Sequence, residues 1–110
     1  MNADEYQYRA LQACWITDDK NDRLTHGVLG LASEAGEVAG IFQKQYQGHE
    51  PTEDHVVKEC GDCLWMIAEI LDSIGITLSE CMERNLLKLK NRYPNGFEPE
   101  KSLHRKPGDV

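Results

Sequence analysis

The 110-residue sequence predicts an all-α fold, an up-down bundle of four helices with short connections, and three observations carry that expectation. Apolar residues recur at three- and four-residue intervals along most of the chain. Turn-forming clusters divide that pattern at Thr17-Asp18-Asp19-Lys20-Asn21-Asp22, at Gln47-Gly48-His49-Glu50-Pro51, at Gly75 and at Pro94-Asn95-Gly96. No segment alternates as a half-buried strand does, and helices joined by short turns run antiparallel to their neighbours.

The first helix is expected over residues 3–15, with Tyr6, Leu11 and Cys14 among its apolar positions. The second runs from about Leu24 to Tyr46, its apolar stripe formed by Leu24, Val28, Leu31, Ala35, Val38 and Phe42. Thr52 is the natural N-cap of the third, because its hydroxyl can take an orphan backbone N–H while Glu53 and Asp54 suit the positive end of the helix dipole. The apolar face of that helix reads Val56, Cys60, Cys63, Ile67, Ile70 and Leu71, and Gly75 ends it. Thr77 and Glu80 have the spacing of a capping box, so a fourth helix follows to about Tyr93. Residues 1–97 are expected to form one domain and residues 98–110 a polar tail.

Composition narrows the function classes. Nineteen Asp+Glu against 12 Lys+Arg give a net charge of −7, which repels polyanions and argues against nucleic-acid polymers and anionic membranes as partners. Any phosphate-bearing ligand then needs a cation to mediate its contact. No stretch approaches the roughly 20 apolar residues of a transmembrane helix, and the acidic N-terminus is unlike a secretory signal, so a cytoplasmic location is expected. Of the four cysteines only Cys60 and Cys63 have metal spacing, and the second pair a structural zinc site wants is missing.

Two matching tetrapeptides carry the chemistry. Glu34-Ala35-Gly36-Glu37 on helix two and Glu59-Cys60-Gly61-Asp62 on helix three both read acid, small, Gly, acid, at a constant offset of 25 residues. Positions i and i+3 lie about 60° apart on a helix, so each motif projects two carboxylates side by side along the border of the apolar stripe. When the two apolar faces pack, four carboxylates meet and require a positive charge among them. Oxygen ligands without His or Cys select Mg²⁺, with Mn²⁺ as the alternative, over zinc, copper or iron, and the missing histidines separate the site from di-iron bundles. A glycine inside each pair is expected to permit close approach of a helix backbone or of a ligand. Asn85, Lys88 and Arg92 share one face of helix four. Trp15 and Trp65, with Phe42 and Tyr46, are candidates for stacking on a base. Helix three turns Trp65 about 120° from Glu59, toward a base or another subunit rather than its own core. His26, His49, His55 and His104 have no ligand spacing and read as surface or cap residues.

These residues resemble a known family. Gly30-Leu31-Ala32-Ser33-Glu34-Ala35-Gly36-Glu37-Val38, Lys58-Glu59-Cys60-Gly61-Asp62-Cys63-Leu64-Trp65 and Asn85 through Phe97 are similar to the MazG-like all-α nucleoside triphosphate pyrophosphohydrolases, over roughly Leu24 to Arg105. The resemblance implies Mg²⁺-dependent cleavage of a (deoxy)nucleoside triphosphate between its α- and β-phosphates, giving monophosphate and pyrophosphate. It implies that Glu34, Glu37, Glu59 and Asp62 hold the metal, with Glu37 or Glu59 also serving as general base. Asn85, Lys88 and Arg92 are then phosphate contacts, with Lys44 a further candidate near the end of helix two. A homodimer or homotetramer is expected. The alternatives are a non-catalytic acidic module that binds nucleotide or protein, and a redox bundle with a di-metal centre.

Overall fold

The computed structural model describes residues 1–13 and 17–110, and its architecture there is all-α. Five helices occur among the described residues: α1 (Ala3–Gln12), α2 (Lys20–Tyr46), α3 (Glu53–Ser73), α4 (Leu78–Arg92) and α5 (Pro99–Leu103). The count is five rather than the expected four, because the short α5 forms within the stretch predicted to be a polar tail. Pro99 sits in its first turn, where a missing N–H is tolerated. Cys14 and the candidate stacking residue Trp15 lie outside the described residues.

Local hydrogen bonding explains the boundaries. Asn2 caps α1 by accepting from the Glu5 N–H at 2.8 Å. Helix α2 begins at Lys20, four residues earlier than predicted, because Asp19 caps it: one carboxylate oxygen accepts from the Asn21 and Asp22 N–H groups at 2.8 and 3.0 Å. The polar run that reads as a linker therefore supplies a cap and a first turn. Thr52 caps α3 as expected, accepting from the His55 N–H at 3.2 Å. Both α2 and α3 end in a Schellman motif with glycine at positive φ. Gly48 (φ +96°) follows α2, with His49 N–H donating to the Lys44 carbonyl. Gly75 (φ +77°) follows α3, with Ile76 N–H donating to the Leu71 carbonyl.

The chain divides into two compact units, Met1–Leu78 and Ser79–Val110. In the first, α2 and α3 pair antiparallel. Arg23 Nη2 meets Asp72 Oδ2 at 2.7 Å, and His26 Nδ1 meets Glu69 Oε1 at 2.8 Å. Between these pairs and the acid motifs, Gly27 and Gly30 bring the helices together. A Cβ at Gly27 would stand 2.9 Å from Ile70 Cγ1 and 3.3 Å from the Ile70 backbone nitrogen, and one at Gly30 would overlap the Met66 thioether. The glycines inside the acid motifs behave otherwise: a Cβ at Gly36 or Gly61 would meet nothing within 4 Å. Backbone approach, one of the two reasons predicted for them, therefore belongs to Gly27 and Gly30.

This packing rotates α3 relative to the predicted face. The seam buries Met66, Glu69 and Ser73, whereas Cys60 and Leu64 are exposed. Those two residues, with Ala35, Val38, Cys63 and Ile67, line an open apolar groove of about 430 Å³. Helix α1 covers another side of α3. Trp65 Nε1 donates to the Ala10 carbonyl at 3.0 Å, which ties this indole to α1. Gln7, only 6% exposed, donates from Nε2 to the Ala68 and Ile76 carbonyls at 3.2 Å and accepts from the Leu78 N–H at 2.9 Å. One satisfied amide thus joins α1, α3 and the first residue of α4.

The second unit holds the remainder of α4, a turn at Pro94–Gly96 and α5. Gly96 (φ +89°) closes the turn by donating to the Tyr93 carbonyl at 3.1 Å, and the Tyr93 and Phe97 rings pack at 5.1 Å.

The two kinds of glycine predict opposite substitution effects. Gly27→Ala forces a methyl into the seam and is expected to cost about 1–3 kcal/mol of stability. Gly36→Ala adds a methyl in open space and gains about 0.5–1 kcal/mol from helix propensity. Thermal denaturation of the two variants should move the midpoint in opposite directions; equal shifts would contradict the assigned seam.

Candidate metal centre

Continuing the α2–α3 register past Gly30 and Met66 brings Glu34 opposite Glu59 and Asp62. One carboxylate oxygen from each of these half-buried residues lies within 4.8 Å of the other two. Three of the four predicted acids therefore converge, and they do so on the seam rather than at its border. Glu37 lies about 60° around α2 from Glu34 and is exposed. It lines a neighbouring cleft of about 390 Å³ with Gly36, Lys44, His49 and His55.

The electrostatics are those of crowded like charges. Partial burial, followed by the charges of Asp62, Glu59 and Glu37 and a hydrogen bond with Glu59, raises the Glu34 carboxyl above its ordinary value of 4.5. The field extends outward. Burial and then Asp62 raise the Tyr6 hydroxyl, while burial, Cys60 and the same acids raise the Cys63 thiol. The donor set is all carboxylate oxygen, drawn from two rigid helices, and it fits a hard divalent cation.

Two neighbours complete the surroundings. His55, predicted to be a surface or cap residue, places Nε2 3.4 Å from Glu59 Oε1 while its backbone is held by the Thr52 cap. Its i, i+4 spacing from Glu59 was the available signal. His26, read in the same way, instead pairs with Glu69, which is 1% exposed. On the α1 side, Tyr6, Lys58, Asp62 and Trp65 line a pocket of about 330 Å³, in which the Tyr6 hydroxyl donates to the Gly61 carbonyl at 3.5 Å. The stacking candidates Phe42 and Tyr46 are exposed.

The remaining predicted residues lie on α4 in the second unit. Asn85 and Lys88 are exposed. Arg92 is engaged at both ends of its fork: Nε and Nη2 donate to Asp109 Oδ2 and Oδ1 at 2.8 and 2.7 Å. The hydrogen bond to Asp109 raises the guanidinium further, and Arg92 in turn holds the Asp109 carboxyl below its ordinary range.

Comparison with known proteins identifies the family. The family model for the MazG nucleotide pyrophosphohydrolase domain matches residues 24–97, a span that includes all four acids and the Asn85–Arg92 face. The Gene 37 protein of Mycobacterium phage L5 is 30% identical over 83 residues, which cover 71% of this chain and 73% of that protein. No solved structure matches the chain. No helix among the described residues is long and apolar enough to cross a membrane.

The raised Glu34 carboxyl carries a signed prediction. The folded state holds this proton more tightly than the unfolded chain, so Glu34 costs metal-free stability as pH rises from 4.5 through its raised value. Metal-free Glu34→Gln should therefore melt above wild type at neutral pH, with the gap closing toward pH 4. Mg²⁺ at a hundredfold excess over its Kd should stabilise wild type by about 2.7 kcal/mol and the variant by far less. Identical melting of the two proteins across this range would show that the acids do not interact as described.

Proposed function

Because the chain belongs to the MazG nucleotide pyrophosphohydrolase family, we propose that it hydrolyses a (deoxy)nucleoside triphosphate between the α- and β-phosphates, with Mg²⁺ as cofactor and Mn²⁺ as a substitute. The observation that carries this reading is the convergence of Glu34, Glu59 and Asp62 from two helices. Their oxygens would hold the cation, and Glu37 would complete the set from one turn along α2. A bound Mg²⁺ would offset the triphosphate charge, polarise the α-phosphoryl group and lower the pKa of an attacking water.

The remaining roles fall to the chain itself. Glu37 and Glu59 are the two carboxylates proposed as the base, and the exposure of Glu37 favours it because water reaches it directly. His55, beside Glu59, would orient that carboxylate. Asn85, Lys88 and Arg92 are proposed as phosphate contacts, with Lys44 in the cleft beside Glu37 as a further one. The pocket containing Tyr6 and Trp65 borders Asp62 and is the site proposed for the base. The open apolar groove supports assembly as a homodimer or homotetramer, which light scattering at micromolar concentration would test.

The decisive experiment assays pyrophosphate release from the common and several modified triphosphates. Activity should require Mg²⁺ or Mn²⁺ and vanish with chelator. Glu37→Gln and Asp62→Asn should each lower kcat by about 10²-fold or more, with the helical fold retained. Release of orthophosphate in place of pyrophosphate, or turnover that survives metal removal, would overturn the proposal.

A further inference from the structure

The two units differ sharply in charge. Residues 1–78 carry 14 Asp+Glu against five Lys+Arg, whereas residues 79–110 carry five against seven. Much of that positive excess surrounds one pocket of about 280 Å³, formed by the end of α4, by α5 and by the segment after it. Arg92, Lys101, His104, Arg105 and Lys106 line it, and Asp109 is its one carboxylate. Four fixed positive charges therefore face one negative charge. A second cleft of about 460 Å³ shares Asn91, Lys106 and Asp109 with the first and extends the basic lining to Arg84 and Lys88.

Asp109 sits at the junction of these clefts in a particular geometry. Its two oxygens take the two parallel N–H donors of Arg92, and the paired side chains are only 17% and 9% exposed. The Tyr93 ring backs the guanidinium, whose carbon lies 5.8 Å from the ring centroid. Arg105 and Lys88 act on the same carboxylate. A phosphoryl group presents the same pair of oxygens to a guanidinium fork, with more charge.

We propose that this pocket is a binding site for a diphosphate group and that Asp109 is its internal occupant, displaced from Arg92 when the ligand enters. The net excess of three positive charges matches a diphosphate, which carries about two to three negative charges near neutral pH, better than a monocarboxylate. The two clefts meet at Asn91, Lys106 and Asp109, and each supplies cations of its own, Arg92, Lys101 and Arg105 in the first and Arg84 and Lys88 in the second, for two phosphoryl groups. The choice of diphosphate rests on the reaction proposed above; the anion site rests on the pocket alone.

The test titrates inorganic pyrophosphate into the whole, metal-stripped chain by calorimetry, where the acid cluster repels the ligand and does not contribute. Wild type should bind weakly, with an affinity that falls as salt rises. Asp109→Asn, which removes the competing charge, should bind about tenfold more tightly, and Asp109→Glu should stay near wild type. Arg105→Ala with Lys106→Ala, both at exposed positions, should weaken wild-type binding by about tenfold. Equal affinity in wild type and Asp109→Asn would overturn the internal-occupant role. Unchanged affinity in the double alanine variant would overturn the site, and this arm reads even if Asp109→Asn fails to fold. Because no turnover is measured, absence of pyrophosphate release would sink the proposed reaction and leave this result standing.

Discussion

The antiparallel seam between α2 and α3 is the constraint on which the candidate site depends. Gly27 and Gly30 remove the side chains that would hold the helices apart, and Ile70 and Met66 fill the space. Two polar pairs fix the register beyond them, Arg23 with Asp72 and His26 with Glu69. A carboxylate as buried as Glu69 is stable only when donors meet it, so sliding the helices by one turn would strand it. The same register, carried one and two turns further along α2, puts Glu34 against Glu59 and Asp62. The half of the seam nearer the α2 N-terminus pairs nitrogen groups with carboxylates and the next stretch gathers like charges, so the first holds in place what the second would push apart.

That arrangement explains why the acids are tolerable without being favourable. Partial burial, and then the neighbouring carboxylates that stand within 4.8 Å, raise the proton affinity of Glu34. A divalent cation bound there would relieve the crowding that a proton relieves in its absence. All three carboxylates stand on helices with side-chain N-caps, Asp19 on α2 and Thr52 on α3.

Much of this was legible in the sequence for identifiable reasons. The Thr52 cap and the Gly48 and Gly75 stops are local chemistry, readable from a few neighbouring residues. The paired acid motifs were readable because a constant offset on two helices survives any error in their exact rotation. The misplaced features depend on partners distant in sequence. Gln7 and Glu69 look like surface residues until α1 and α2 close over α3. The buried strip of α3 was predicted one step around the helix because its apolar periodicity is broad, and the choice among faces was made by the glycines of α2. Asp19 was absorbed into a polar run in which any of several residues can cap. Arg92 showed its helical face but not its partner, since Asp109 lies 17 residues away across a turn and a short helix.

The charge division gives the family resemblance a physical logic. A triphosphate is repelled by a unit with 14 acids and five bases unless a cation intervenes, whereas the C-terminal unit, with seven bases against five acids, attracts phosphate directly. Each unit then has its own chemistry, a carboxylate cluster in the first that suits a cation and a guanidinium fork in the second that suits an anion. The first repels phosphate unless it holds an ion. The second must be kept from binding whatever anion is most abundant. A tethered carboxylate on Arg92 meets that second need, because it is present at fixed effective concentration and yields only to an anion of higher charge.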